Sequence, residues 1–319
     1  MPALIKIRRP QSIGTSAPAP AAANASPRCV LFAAGLGELA PAALLRAAAL
    51  REILGVTLHL LRVAPATTRV NMIFPGNNGA DALAAAQQLE NLRIETERTA
   101  ERVLPAAGTL VSVRHGRFTQ IVAQAAREHD ALCIVLSGGH AYRGQDVAAL
   151  ANESGIPVLV AESARGRDIV AATDLSDPRY PVLKRGVELA VRAGASVTAV
   201  HNVEPFVATV PALVVSSGGP ANAVIADPAL AGAWERMGAL VKSLGSDIDG
   251  VVVTRLGTAD AILEVARRVS ADVVVVGTRS RPWLARTWKR SVAARVVDAA
   301  ARSVMVVPIA VPVHAVEAA

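Results

Sequence analysis

The second half of this 319-residue chain can be laid over the first, and that internal repeat limits the fold more than any other feature. Residues 29–37, CVLFAAGLG, align with residues 168–176, DIVAATDLS, at an offset of 139, and the same offset places LLRAAALREILGVTLHLLRV over LKRGVELAVRAGASVTAVHNV. Leu44 meets Leu183, Arg46 meets Arg185, Leu50 meets Leu189 and Gly55 meets Gly194. Further on, RHGRFTQIVAQAAREHDALCIVLSG falls over RLGTADAILEVARRVSADVVVVGTR, with Gly116 on Gly257 and Ile121 on Ile262. Each copy reads as strand, helix, glycine stop, strand, and then turn, helix and buried strand. Gly55 and Gly194 sit where a helix end needs a residue tolerant of the left-handed conformation.

The runs ALCIVL and DVVVVG are apolar over a full strand length, as in central parallel strands covered on both faces. Alternating strands and helices with short connections predict, in each half, an open, doubly wound, parallel five-stranded sheet of Rossmann-like α/β type. A sequence that is 52% hydrophobic but only 3% aromatic must build such cores from small and β-branched side chains. The expected domains are residues 29–163 and 168–310, joined by the short polar stretch ESARGR, with a tail at 311–319. Packing of the halves as an intramolecular pseudo-dimer is expected, with the closing strands 158–161 and 304–309 at an interface, because bare apolar edges invite aggregation.

Residues 1–28 hold an Ala/Pro/Ser tract with too few large apolar groups to offset its ordering entropy, so a disordered tail is expected. A transit peptide would share its basic, acid-poor character, but a secretory signal would need an apolar core that is missing. No apolar run approaches the roughly 20 residues of a membrane span. Cys29 and Cys133 have no metal-ligand spacing and read as reduced, buried thiols, so a cytoplasmic protein is expected. The formal charge of +7 permits weak association with polyanions without specifying it.

In a sheet of this type ligands bind beyond the carboxyl ends of the strands, where strand order reverses. In the second copy the first strand delivers Asp174 and Ser176. They suit ribose hydroxyls or a metal at phosphates, and equally suit a cap for the helix over residues 182–192. The fourth strand delivers Gly277 and Ser280, then an Arg-rich loop ending at Arg290 and Ser291. Ser291 is the expected N-cap of the next helix, with Val292, Val296, Val297 and Ala300 on one face. Residues 273–297 hold Arg279, Arg281, Arg286, Lys289, Arg290 and Arg295 and no acidic residue. A helix start in that setting, at the amides of Ser291 and Val292, suits an anion, although a solvated basic surface would read the same way.

The order ATDLSD after the first strand, VVVVGTRSR after the fourth, and SVAARVV followed by VMVVP resembles the universal stress protein family. The resemblance spans nearly all of the second copy and leaves the first as a degenerate relative. It implies an adenine nucleotide alpha-hydrolase-like fold and a non-catalytic role in stress response or signalling. It also implies ATP or another adenine nucleotide as ligand, with Mg2+ only alongside ATP. Nucleotide-binding members share a loop G-x2-G-x9-G-[ST]. Carried over, Gly277 matches its first glycine, Ser291 its final hydroxyl, and Asp174 the aspartate near the nucleotide, with Val203 near adenine. Ser280 and Arg290 replace the second and third glycines. A side chain there either fills the phosphate space or substitutes a charge-assisted bond for lost amide contacts.

In the first copy Gly35 replaces the aspartate and five residues are missing from the phosphate loop. Gly35-Leu36-Gly37-Glu38-Leu39-Ala40 satisfies the loose dinucleotide fingerprint, with Arg62 as the feature that suits a 2′-phosphate, so an NADP-type oxidoreductase is the rival reading. A slow nucleotide hydrolase is a second rival, but no general base flanks the loop. The six histidines are scattered and read as surface or packing residues. Nucleic-acid binding lacks a fold motif and has only Trp283 and Trp288 for stacking; these better suit an interface. The expected partners are a second copy of the chain or another protein, with no membrane.

Overall fold

A computed structural model describes residues 28–37, 39–65, 78–104, 109–139, 141–163, 166, 168–175, 179–204, 228–244, 248–254, 257–279 and 291–309. They fall in two compact units, within residues 28–163 and 166–309. The expected tail, apart from Arg28, the closing segment after residue 309, and the two tryptophans 283 and 288 lie outside the described residues.

The N-terminal unit runs β1 (Cys29–Ala34), α1 (Pro41–Leu54), β2 (Thr57–Ala64), α2 (Asn78–Val103), β3 (Thr109–His115), α3 (Phe118–Glu128), β4 (Ala131–Ser137), α4 (Gly144–Ser154) and β5 (Val158–Ala161). Its strands pair in parallel in the order β3-β2-β1-β4-β5. The C-terminal unit runs β6 (Ile169–Ala172), α5 (Pro181–Ala193), β7 (Val197–Val203), α6 (Pro228–Leu244), β8 (Ile248–Thr254), α7 (Thr258–Arg268), β9 (Val273–Arg279), α8 (Val292–Ala299) and β10 (Ser303–Ile309). Its parallel order is β8-β7-β6-β9-β10, the same winding. The alternation of elements predicts this α/β architecture, and the structure has it.

The cores follow from the apolar runs. Every residue of β1 is buried, and Cys133, Ile134, Val135 and Leu136 of β4 are at most 1% exposed. In the second unit α5 and α8 both pack on β9, and Val274, Val275 and Val276 of β9, Leu183 of α5 and Val296 of α8 are all at most 1% exposed. Small side chains let helix and sheet approach closely at the density a protein interior requires. Gly55 and Gly194 end α1 and α5 with φ of 67° and 61°. A Cβ in that conformation costs roughly 1 kcal/mol, so the repeated glycine is conformational in origin.

Arg28 immediately precedes β1: its carbonyl accepts from the Thr57 amide, and its side chain pairs with Asp130 at 3.1 Å. Both cysteines are buried and form no disulfide, as their spacing predicts. Burial, followed by the Asp130 carboxylate, pushes the Cys29 thiol up to about 11.

Candidate functional site

In the C-terminal unit the strand order turns at β6 and β9, which are neighbours. Beyond β6 stand Thr173 and Asp174, and β9 ends at Arg279. The Asp174 carboxylate accepts from Arg279 Nη2 at 2.9 Å, so an ion pair spans the switch point. Both groups are partly exposed, 48% for Asp174 and 35% for Arg279. A pair so open to water contributes about 0–1 kcal/mol and opens at little cost.

Asp174 does not cap the following helix. α5 starts at Pro181, and Tyr180 before it adopts φ 44° with no side-chain cap. The proline supplies the fixed φ that a first helical residue needs, so the helix start does not draw on the carboxylate. Thr173 is 8% exposed, and its Oγ1 is buried with no hydrogen-bond partner. Its backbone is held on both sides, by the Val200 carbonyl at 2.8 Å and by His201 Nδ1 donating to the Thr173 carbonyl at 2.9 Å. A buried hydroxyl without a partner carries a desolvation cost that a polar ligand at this edge would remove.

Ser291 caps α8 as its position predicts, its hydroxyl accepting from the Ala294 amide at 3.1 Å. Amides earlier in that first turn have no intrahelical partner. The buried face of α8 is Ala293, Ala294, Val296 and Val297, whereas Val292 is 40% exposed. The expected apolar face is therefore corrected: it is displaced from Val292 because the first helical residue points away from the sheet. Val203, the last residue of β7, is partly buried.

Gly277 is required by packing within the unit. A Cβ there would run into Ile309 Cδ1 and lie 2.8 Å from Val182 Cγ2. The structure thus brings Asp174, Gly277 and Ser291 to the carboxyl side of one unit, with Val203 ending the strand beyond β6. Ser176, Ser280 and Arg290 lie outside the described residues.

The N-terminal unit closes its own switch point differently. Between β1 and β4, the Gly35 backbone hydrogen-bonds to the Tyr142 phenol, whose ring stacks on Phe118 at 5.1 Å. Burial pushes the Tyr142 hydroxyl up and keeps it protonated. At the end of β4, the Gly139 amide donates to Glu162 Oε1 at 2.6 Å, and a Cβ on Gly138 would run into that carboxylate. One wall is a residue whose burial the sequence did not reveal. Arg62 on β2, paired in register with Ala34, is 1% exposed, and its Nε and Nη2 have no hydrogen-bond partner.

Near the opposite end of the same sheet, His59 is buried against His129, ring centroids 4.3 Å apart, and bonds Ser112 Oγ through Nε2 at 2.7 Å. Burial, then His129 and Arg114, pulls His59 down to about 4. A cleft of about 510 Å³ runs along α2, lined by Asn91, Ile94, Glu95, Arg98, Thr99 and Arg102, and shares no residue with either switch point. Among the described residues no His, Cys, Asp and Glu group is placed to hold a metal, and no helix is long and apolar enough to cross a membrane.

Three solved structures are similar in fold. A universal stress protein from Archaeoglobus fulgidus DSM 4304 superposes with a TM-score of 0.57 at 12% identity, covering 87% of this chain and 96% of that one. A protein described as a universal stress protein from Pseudomonas aeruginosa UCBPP-PA14 gives 0.56 at 18%, covering 89% and 94%. A functionally unknown protein from Pseudomonas aeruginosa PAO1 gives 0.56 at 19%, covering 89% and 93%. At these identities the likeness establishes the fold, of adenine nucleotide alpha-hydrolase-like type. No curated relative matches the chain. The C-terminal unit, over residues 166–308, matches the universal stress protein family.

Proposed function

We propose that the protein is a tandem universal stress protein acting without catalysis in stress response or signalling, with an adenine nucleotide as the ligand of its C-terminal module. Its output then passes through self-assembly or through a partner protein. One observation carries the reading: Asp174, the unpartnered Thr173 hydroxyl and Arg279 meet at the switch point of the unit that matches the family. Opening the Asp174–Arg279 pair supplies a carboxylate acceptor for ribose hydroxyls and a cation for phosphates. Its cost of about 0–1 kcal/mol is small beside the roughly 8 kcal/mol of a micromolar ligand. The amides at the start of α8 add a second place for negative charge. Mg2+ enters this reading only with ATP.

Calorimetry with ATP on the native chain, on Asp174→Ala and on Arg290→Gly tests the site. Native binding that weakens about tenfold or more in Asp174→Ala supports it, since hydrogen bonds to charged groups contribute about 1.5–3 kcal/mol. Binding that appears only in Arg290→Gly shows that the arginine fills the phosphate position. Tight native binding that Asp174→Ala leaves untouched removes the site.

A further inference from the structure

The Arg62 guanidinium is the least satisfied polar group among the described residues of the N-terminal unit. It is 1% exposed, so water does not serve it, and Nε and Nη2 are buried without a partner. Arginine does not shed its charge by losing a proton at any physiological pH. A buried cation with two of its three nitrogens unbonded carries a penalty that a bound negative group would offset. Nε and Nη2 together form one edge of the planar guanidinium, two parallel donors that match the two oxygens of a carboxylate or phosphate. Neither has a hydrogen-bond partner, so the whole bidentate edge is unsatisfied.

The surroundings favour a small ligand over an internal carboxylate. The nearest acidic influence on Arg62 is Glu95 of α2, which is exposed and makes no hydrogen bond to it. Tyr142, which also acts electrostatically on Arg62, accepts from the Gly35 backbone and so keeps its own O–H to donate. Gly35 follows Ala34, the register partner of Arg62, and a Cβ built on Gly35 meets nothing within 4 Å. The position that carries Asp174 in the C-terminal unit is thus an open glycine beside a buried cation.

We propose that the N-terminal module binds a small oxyanion, a phosphate or carboxylate group, on the Nε/Nη2 edge of Arg62, with the Tyr142 hydroxyl as a neighbouring donor. The site is independent of nucleotide binding by the other module and stands or falls separately. It requires neither the dinucleotide fingerprint nor any catalysis.

The test is calorimetry of the full chain with sodium phosphate and, separately, sodium acetate, in chloride buffer of matched ionic strength. The variants are Arg62→Lys, Arg62→Met and Tyr142→Phe, the last keeping the ring against Phe118. Expected is one binding event in the native chain that is lost in Arg62→Met. In Arg62→Lys it weakens about ten- to a hundredfold, because an ammonium lacks the fork. Tyr142→Phe weakens it less, and it keeps the test valid if the Arg62 variants fail to fold. Preference for phosphate over acetate, or the reverse, identifies the source of the oxyanion. Absence of binding with both anions in the native chain overturns the proposal, as does binding that persists unchanged in Arg62→Met. If Glu95 instead neutralised Arg62, Glu95→Gln would lower the melting temperature while native binding was absent, and that outcome also overturns it.

Discussion

Mild acid should destabilise the N-terminal module through one residue. His59 is 2% exposed, and its folded-state proton affinity is pulled from 6.5 down to about 4. The unfolded chain takes up a proton near pH 6.5 while the folded chain resists it until about pH 4. Stability is therefore full above the higher value and falls as pH drops through that window. At full protonation the loss is about 3 kcal/mol, and about 2 kcal/mol of it is gone by about pH 5, where most carboxylates are still ionised. His129 in edge contact and Arg114 nearby add repulsion to the burial that dominates.

Urea unfolding followed by ellipticity at about pH 7.5 and about pH 5 measures the effect. All three tryptophans, at 234, 283 and 288, lie in the second half, so fluorescence separates that half from the N-terminal transition. His59→Gln keeps a polar group for Ser112 and removes the titration. It should abolish most of the pH-dependent loss in the ellipticity transition. An equal loss in His59→Gln and native chains would refute the reasoning.

Gly277→Ala should lower the stability of the C-terminal module by about 1–3 kcal/mol, because its Cβ meets Ile309 and Val182. Thermal unfolding by tryptophan fluorescence reads this, and an unchanged midpoint would show that those side chains yield. With its thiol pushed up to about 11 and both cysteines buried, Cys29 should resist thiol reagents near pH 8 until the chain unfolds. Prompt labelling of the native chain would contradict that burial.

The winding of each half was legible because it depends on short-range signals. Buried apolar runs mark β1, β4 and β9, and matched glycines stop α1 and α5. Ser291 was legible for the same reason, since a cap depends on the three residues after it. The closure of the two clefts was not legible. Asp174 and Arg279 are 105 positions apart and meet only because β6 and β9 are neighbours. Arg62 was readable as a residue and not as a buried one: arginine defaults to the surface, and nothing in LHLLRV says that the sheet will cover it. Val292 departs from the expected stripe because the first helical residue points away from the sheet, whereas Val296 and Val297, a turn further on, are buried.

The two switch points differ by charge, and the difference begins at one pair of aligned positions. Where the C-terminal unit has Asp174, the carboxylate is held by a guanidinium from the end of the neighbouring strand, and the charges cancel in a pair open to water. Where the N-terminal unit has Gly35, no carboxylate exists, and the position contributes only backbone to Tyr142. An arginine buried one strand away then keeps Nε and Nη2 without a hydrogen-bond partner. Pairing lets the first arrangement exist empty at almost no cost, whereas the second leaves one edge of a buried cation without hydrogen bonds. The unit with glycine at the aligned position is by this logic the one whose buried cation has the stronger physical demand for an anion.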